Sequence, residues 1–202
     1  MTNSKFISAS IAIAAALVAA NAGAAVVDLN NGSGTINGAL FTTNFDQPTG
    51  TGVFDPFLTI QNDPWEQGYN SSNGNFNTKR EPQWNHEIRL SDLRITTLNG
   101  TQFFGFIVDV NEPGGNRANI SLDALRIWTS PTLQNSTSTN GSGFFNGSLG
   151  TLRFDLGANS VLYTDSNRGS GQSDIAIYIP VSNFNGVSLN DYVYMYQRWG
   201  NS

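Results

Sequence analysis

The 202-residue chain has no cysteine, one histidine and two lysines, and only 12% of its residues carry charge. Each shortage removes a class of function. Without cysteine there is no disulfide, no thiol nucleophile and no thiolate metal site, so the fold must rest on packing alone. Ten basic residues stand against fifteen acidic ones, and the arginines are scattered singly between apolar residues. No clustered positive surface results, and nucleic acid, which demands one, is not an expected partner. The lone His86 sits in Trp84-Asn85-His86-Glu87 with no Gly-x-Ser-x-Gly elbow beside it. It reads as a hydrogen-bonded structural residue rather than as part of a Ser-His-Asp triad.

Long apolar runs are also scarce. The exception follows Lys5 and extends from Phe6 to Ala20, ahead of the small residues Ala22-Gly23-Ala24. A positive residue, an apolar stretch and a small-residue cleavage site make a secretory signal peptide over residues 1–24. The run is shorter than the roughly 20 apolar residues a bilayer core requires. No membrane span is expected in the mature chain, residues 25–202, which has the length of one domain able to bury a core without staples. Its location is then the cell surface or the extracellular space.

What is abundant is strand signal. Beyond Val26 no long stretch has a helical period, and short alternating runs of β-branched and aromatic residues recur between Gly, Asn, Ser and Pro clusters. In the run Phe103 to Val110, Phe104, Phe106, Val108 and Val110 share one face, with Phe103 and Ile107 opposite and both faces expected to be covered. Asp174 to Val181 alternates likewise, Pro180 marking an edge or a strand end. Further strands are expected at Gly38–Thr43, Phe57–Gln61, Ile88–Leu90, Arg94–Leu98, Ile120–Trp128, Thr151–Asp155, Val161–Tyr163 and Tyr192–Trp199, with short helical turns near Ser91–Leu93 and Ser182–Asn185. The fold class is all-β, an antiparallel β-sandwich of jelly-roll-like form. Tyr69–Thr78 and Gln134–Gly147, dense in Asn, Ser, Thr and Gly, read as mobile loops, the second pinned by Phe144 and Phe145.

Three constellations bear on chemistry. Asp109, Asn111 and Glu112 lead into the turn Pro113-Gly114-Gly115-Asn116, and Asp123 is a candidate to join them from the next strand. Ca²⁺ accepts six to eight oxygen ligands with loose geometry, and these four residues are its candidate ligands. The spacing is not that of an EF-hand loop, and the alternative is that Asp109 and Asn111 cap their own turn. Trp65, Trp84, Tyr192, Tyr194 and Tyr196 are the candidates for stacking on the apolar face of a sugar ring, against the alternative that they fill a core. Fifteen carboxylates permit a glycosidase-like pair, but no sequence feature marks one. The Asn-x-Ser/Thr triplets, as at Asn70, Asn99 and Asn119, are what so Asn-rich a chain produces by chance.

The segments Asn37-Gly38-Ala39-Leu40-Phe41, Gly50-Thr51-Gly52-Val53-Phe54-Asp55-Pro56-Phe57, Glu66-Gln67-Gly68-Tyr69-Asn70 and Leu90-Ser91-Asp92-Leu93 carry a resemblance. So do Phe106 to Asn111, Gly115-Asn116-Arg117 with Ile120 to Ser130, Ser173 to Phe184 and Asp191 to Gly200. Together they resemble the ectodomains of bacterial PEP-CTERM proteins, which an exosortase sorts at the envelope of exopolysaccharide-producing Gram-negative cells. Such proteins end in a Pro-Glu-Pro motif, a membrane helix and a basic cluster, whereas this sequence stops at Trp199-Gly200-Asn201-Ser202. The expectation is a sequence truncated before that tail, with free secretion the alternative. The resemblance implies a non-enzymatic surface or matrix component associated with exopolysaccharide and supplies no catalytic residues. The alternatives are a calcium-dependent carbohydrate-binding or adhesion module and a glycan hydrolase.

Overall fold

Strands with bulk on alternate positions bury one face each, and two sheets of them close over a shared interior. The computed structural model describes residues 23–45, 56–73, 76–79, 81–111, 118–165 and 173–201. Most of the expected leader, residues 1–22, and Glu112 lie outside the described residues.

One sheet has seven strands. β1 (Val26–Asp28), β10 (Ser160–Thr164), β8 (Asn119–Ser130), β12 (Tyr192–Asn201) and β4 (Trp65–Tyr69) run across it in that order, with β5 (Ile88–Arg89) also on β12 and β9 (Thr151–Asp155) also on β8. The other has five, in the order β2 (Gly34–Ile36), β3 (Ala39–Thr42), β11 (Ile175–Pro180), β7 (Thr101–Val108) and β6 (Ile95–Leu98). Every pairing is antiparallel except β1 with β10. The hairpins β2–β3 and β6–β7 turn on Asn37-Gly38 and Asn99-Gly100, all four residues at positive φ, the backbone that matches strand twist.

The fold is therefore the expected all-β sandwich. Its core is built as the alternation requires. Phe104 and Phe106 of β7 and Ile175, Ile177 and Ile179 of β11 meet Leu122, Leu125 and Ile127 of β8 and Val193, Met195 and Trp199 of β12. Each fully buried side chain of this kind contributes about 1.5–3 kcal/mol of burial free energy. Pro180 ends β11, and helical turns occupy Leu90–Asp92 and Val181–Phe184.

Three expectations need correction. Phe57–Gln61 is not a strand: Phe57 O accepts from His86 N and Thr59 N donates to Asn85 Oδ1, so side chains and a single backbone bond replace a ladder. The outer face of β7 is only partly covered, with Ile107 at 39% exposure. Neither expected loop is loose: Tyr69–Thr78 starts on the last residue of β4 and buries Asn70, Ser71 and Asn77, and Gln134–Gly147 is anchored to the seven-stranded sheet at Gln134, Ser136, Gly143 and Phe145.

Candidate functional site

The seven-stranded sheet carries a second apolar cluster on its outer face. Tyr69, Ala124, Trp128, Tyr194 and Tyr196 form the floor, Phe145 and Leu149 descend onto it, and Phe76 and Tyr192 pack at its margin. The phenol row of β12 exists as the alternation predicts, but Tyr194 and Tyr196 are buried at 0% and 1% exposure. This corrects the expectation that they offer stacking faces to a sugar. Their hydroxyls hold protein instead: Tyr194 Oη accepts from Gln134 N at 2.8 Å and Tyr196 Oη donates to Gln67 Oε1 at 2.7 Å. Tyr69 Oη accepts from Ser136 N and donates to Ser136 O. Burial raises the pKa of all three phenols, that of Tyr196 to about 12. Tyr192 is half-buried, with the Arg89 guanidinium 4.3 Å over its ring.

Gln67 connects this cluster to an open patch. Its Nε2 donates to Gly143 O at 2.9 Å and its Oε1 accepts from Phe145 N at 3.2 Å, which fixes the intervening Phe144 beside β4. The Phe144 ring stands edge-on to Trp65 at 5.2 Å and lies 4.1 Å beneath the Arg198 guanidinium. Arg198 Nη2 in turn donates to the Asp123 carbonyl at 3.4 Å.

Asp123 reaches this place through an irregularity. The β8–β12 register shifts between Arg198 and Trp199, so that Arg198 pairs with Ala124, Trp199 pairs with Leu122, and Asp123 is the extra residue of a bulge. The bulge changes the inward phase of β8, letting Ile120 and Leu122 before it and Leu125 and Ile127 after it all enter the main core. Gly200 pairs with Trp65 on one side and Ser121 on the other. Any Cβ at Gly200 would lie 2.9 Å from Asp123 Oδ2, so the glycine makes room for the carboxylate. Half-buried Trp65, Arg198 and Asp123 thus border a backbone floor, with Ser121 Oγ donating to Gly200 O.

Trp65 and Asp123 were expected to serve two different ligands, a sugar and a metal, and the pairing of β4, β12 and β8 brings them to one patch. Asp109 and Asn111 are exposed beyond the end of β7 in the other sheet. Among the described residues no group of three His, Asp or Glu is arranged to hold a metal ion. Trp84 is 45% exposed in the turn before Asn85, and no ring contact among the described residues ties it to Trp65. The main chain of His86 is clamped, its N donating to Phe57 O and its O accepting from Asn70 Nδ2. Next to it, burial pushes the Glu87 carboxyl up, but hydrogen bonds from its own backbone and from Ser72 and Ser71 outweigh burial and hold it below the usual range.

Sequence reasoning missed Phe144, Arg198 and Gly200 as site residues. A signal for the bulge was present, since the alternation of Ile120 and Leu122 slips by one before Leu125 and Ile127. Chemically, the patch offers an indole, a guanidinium braced on a ring and a carboxylate, the stacking, donor and acceptor groups that a hydroxyl-rich ligand engages. The chain matches no protein-family model, no curated protein and no solved structure.

Proposed function

We propose that the chain is an exported, non-enzymatic β-sandwich of the cell surface or extracellular matrix that contacts polysaccharide through Trp65, Arg198 and Asp123. The observation that carries this reading is the patch itself: Trp65 held against Phe144, Arg198 braced over the same ring, and Asp123 brought across Gly200 by a bulge. An apolar ring face stacks on the indole, while the hydroxyls around its rim take donors from the guanidinium and acceptors on the carboxylate. The leader-like first residues and the resemblance to PEP-CTERM ectodomains support export and an exopolysaccharide-rich setting.

Affinity electrophoresis of the mature chain through gels containing neutral and acidic polysaccharides tests the reading. Retardation by at least one polysaccharide is expected, weakened about fivefold in Trp65→Ala, as loss of ~1 kcal/mol of stacking implies, and unchanged in Trp84→Ala. Free migration in every gel, or equal retardation of Trp65→Ala and wild type, contradicts it.

A further inference from the structure

Asparagine is followed by glycine at positions 31, 37, 73, 99, 140, 146 and 185. In this dipeptide no side chain shields the following nitrogen, which can attack the asparagine carboxamide. Whether it does depends on how the fold holds each pair, and the fold treats them differently.

Asn37 Nδ2 donates to Asp155 O at 2.8 Å and to Leu156 O at 3.3 Å, tying the β2–β3 turn to the opposite sheet. Asn31 Nδ2 donates to Asp28 Oδ2, Asn140 Oδ1 accepts from Ser142 N and Phe144 N, and Asn146 Oδ1 accepts from Ser138 Oγ. Asn73 precedes Gly74, which lies outside the described residues. Asn99 has no side-chain bond among the described residues, but it is held at φ 50 in a two-residue hairpin between paired strands.

Asn185 has neither restraint. It is exposed, lies at φ −56 and ψ 131, and has no side-chain hydrogen bond among the described residues. Phe184 O accepts from Val187 N at 3.1 Å and Gly186 sits at φ 76, which makes residues 184–187 a type II turn with its central peptide facing solvent. A Cβ built on Gly186 meets nothing within 4 Å. Ring closure requires the glycine nitrogen to swing about ψ to the side of the asparagine Cβ. Among the described residues only the Val187 N–Phe184 O bond and the Asn185 N–Ser182 O bond hold this exposed turn, so it yields to that rotation more readily than a hairpin clamped by its ladder.

We propose that Asn185–Gly186 is a site of spontaneous, non-enzymatic modification, at which the folded chain converts Asn185 to aspartate and isoaspartate ahead of the other Asn–Gly pairs among the described residues. Gly186 N attacks Asn185 Cγ and a C–N bond closes a five-membered succinimide. The Cγ–Nδ2 bond breaks, and the glycine amide proton leaves with the departing nitrogen as ammonia. Water then adds to one of the two ring carbonyls. Opening one C–N bond gives aspartate; opening the other gives isoaspartate, whose backbone runs through Cβ. Either product adds one negative charge to a chain already at −5. Isoaspartate also lengthens the backbone next to Phe184, which is 4% exposed and packed edge-on against Phe104 at 5.1 Å. The site would act as a clock whose product loosens one end of the core.

The test is peptide-resolved mass spectrometry of the full chain held folded in warm, mildly alkaline buffer, with a urea-unfolded sample as reference. In urea the Asn–Gly pairs should react at similar rates. In the folded chain Asn185 is expected to lead Asn37 by about tenfold or more, a barrier difference of ~1.4 kcal/mol, and Asn185→Gln should remove one early acidic species on isoelectric focusing. An unmodified Asn185 in folded protein while the urea sample converts, or an Asn37 that reacts as fast as Asn185, overturns the proposal.

Discussion

The outer face of the seven-stranded sheet carries Tyr69, Trp128, Tyr194 and Tyr196 and is roofed by the segment around Gln134–Leu149, whereas the outer face of the five-stranded sheet leaves Leu40, Phe103, Ile107 and Tyr178 partly exposed. Both faces are apolar, so hydrophobicity alone does not decide which is covered. The difference lies in polar fasteners. On the roofed face the Tyr69 and Tyr194 hydroxyls and the Gln67 amide bond the main chain of the crossing segment, satisfying its donors and acceptors where they are partly or fully buried. On the open face the Phe103–Tyr178 pair at 6.2 Å packs laterally, and Gly105 lies under the Tyr178 ring. A row of phenols on a strand can thus be a landing strip for the chain's own loop.

Emptying the roof should have the largest effect. Phe145 is 3% exposed and meets Tyr69, Phe76, Trp128 and Tyr196 at centroid distances of 5.0–6.1 Å. Phe145→Ala is expected to cost about 3–5 kcal/mol in urea denaturation, the range of a buried aromatic truncation. The matching arm on the open face, Ile107→Thr, is expected to stay within about 0.5 kcal/mol. Equal costs for the two would erase the distinction between the faces.

A smaller effect comes from alkali. The folded pKa of Tyr196, raised by burial to about 12, lies above its ordinary value of 10.0. The neutral phenol is therefore favoured by folding, and its contribution is complete below pH 10.0 and lost as pH rises through about 12. Melting temperature should fall across that window, less steeply in Tyr196→Phe than in wild type. A Tyr196→Phe profile parallel to that of wild type would mean that this phenol is not shielded by the roof.

The legible parts of the fold were those in which alternation and bulk coincide. β7, β11 and β12 have runs of Phe, Ile, Val and Tyr whose inward faces follow from period two alone, whereas β8 keeps that period only on either side of its bulge at Asp123. β4, Trp-Glu-Gln-Gly-Tyr, has no such signature: its strand form comes from pairing with β12 and from Asn77, whose Oδ1 accepts from Tyr69 N and whose Nδ2 donates to Tyr69 O. Asn70 acts similarly toward β12, accepting from Met195 N at 2.6 Å and donating to Val193 O at 2.9 Å. Buried amides of this kind imitate a neighbouring strand, so residues that read as loop by composition serve as ladder. The patch was half legible for the same reason. Trp65 and Asp123 were visible as residue types, but their meeting depends on a bulge and on a loop that crosses the sheet.

The roof belongs to the folded core, and native-state hydrogen exchange tests this most directly. The amides of Gln134, Ser136 and Phe145, bonded to Tyr194 Oη, Tyr69 Oη and Gln67 Oε1, should exchange with protection approaching that of β8 and β12. Exchange of these three amides at the rate of an open loop, while β8 and β12 stay protected, would contradict the account.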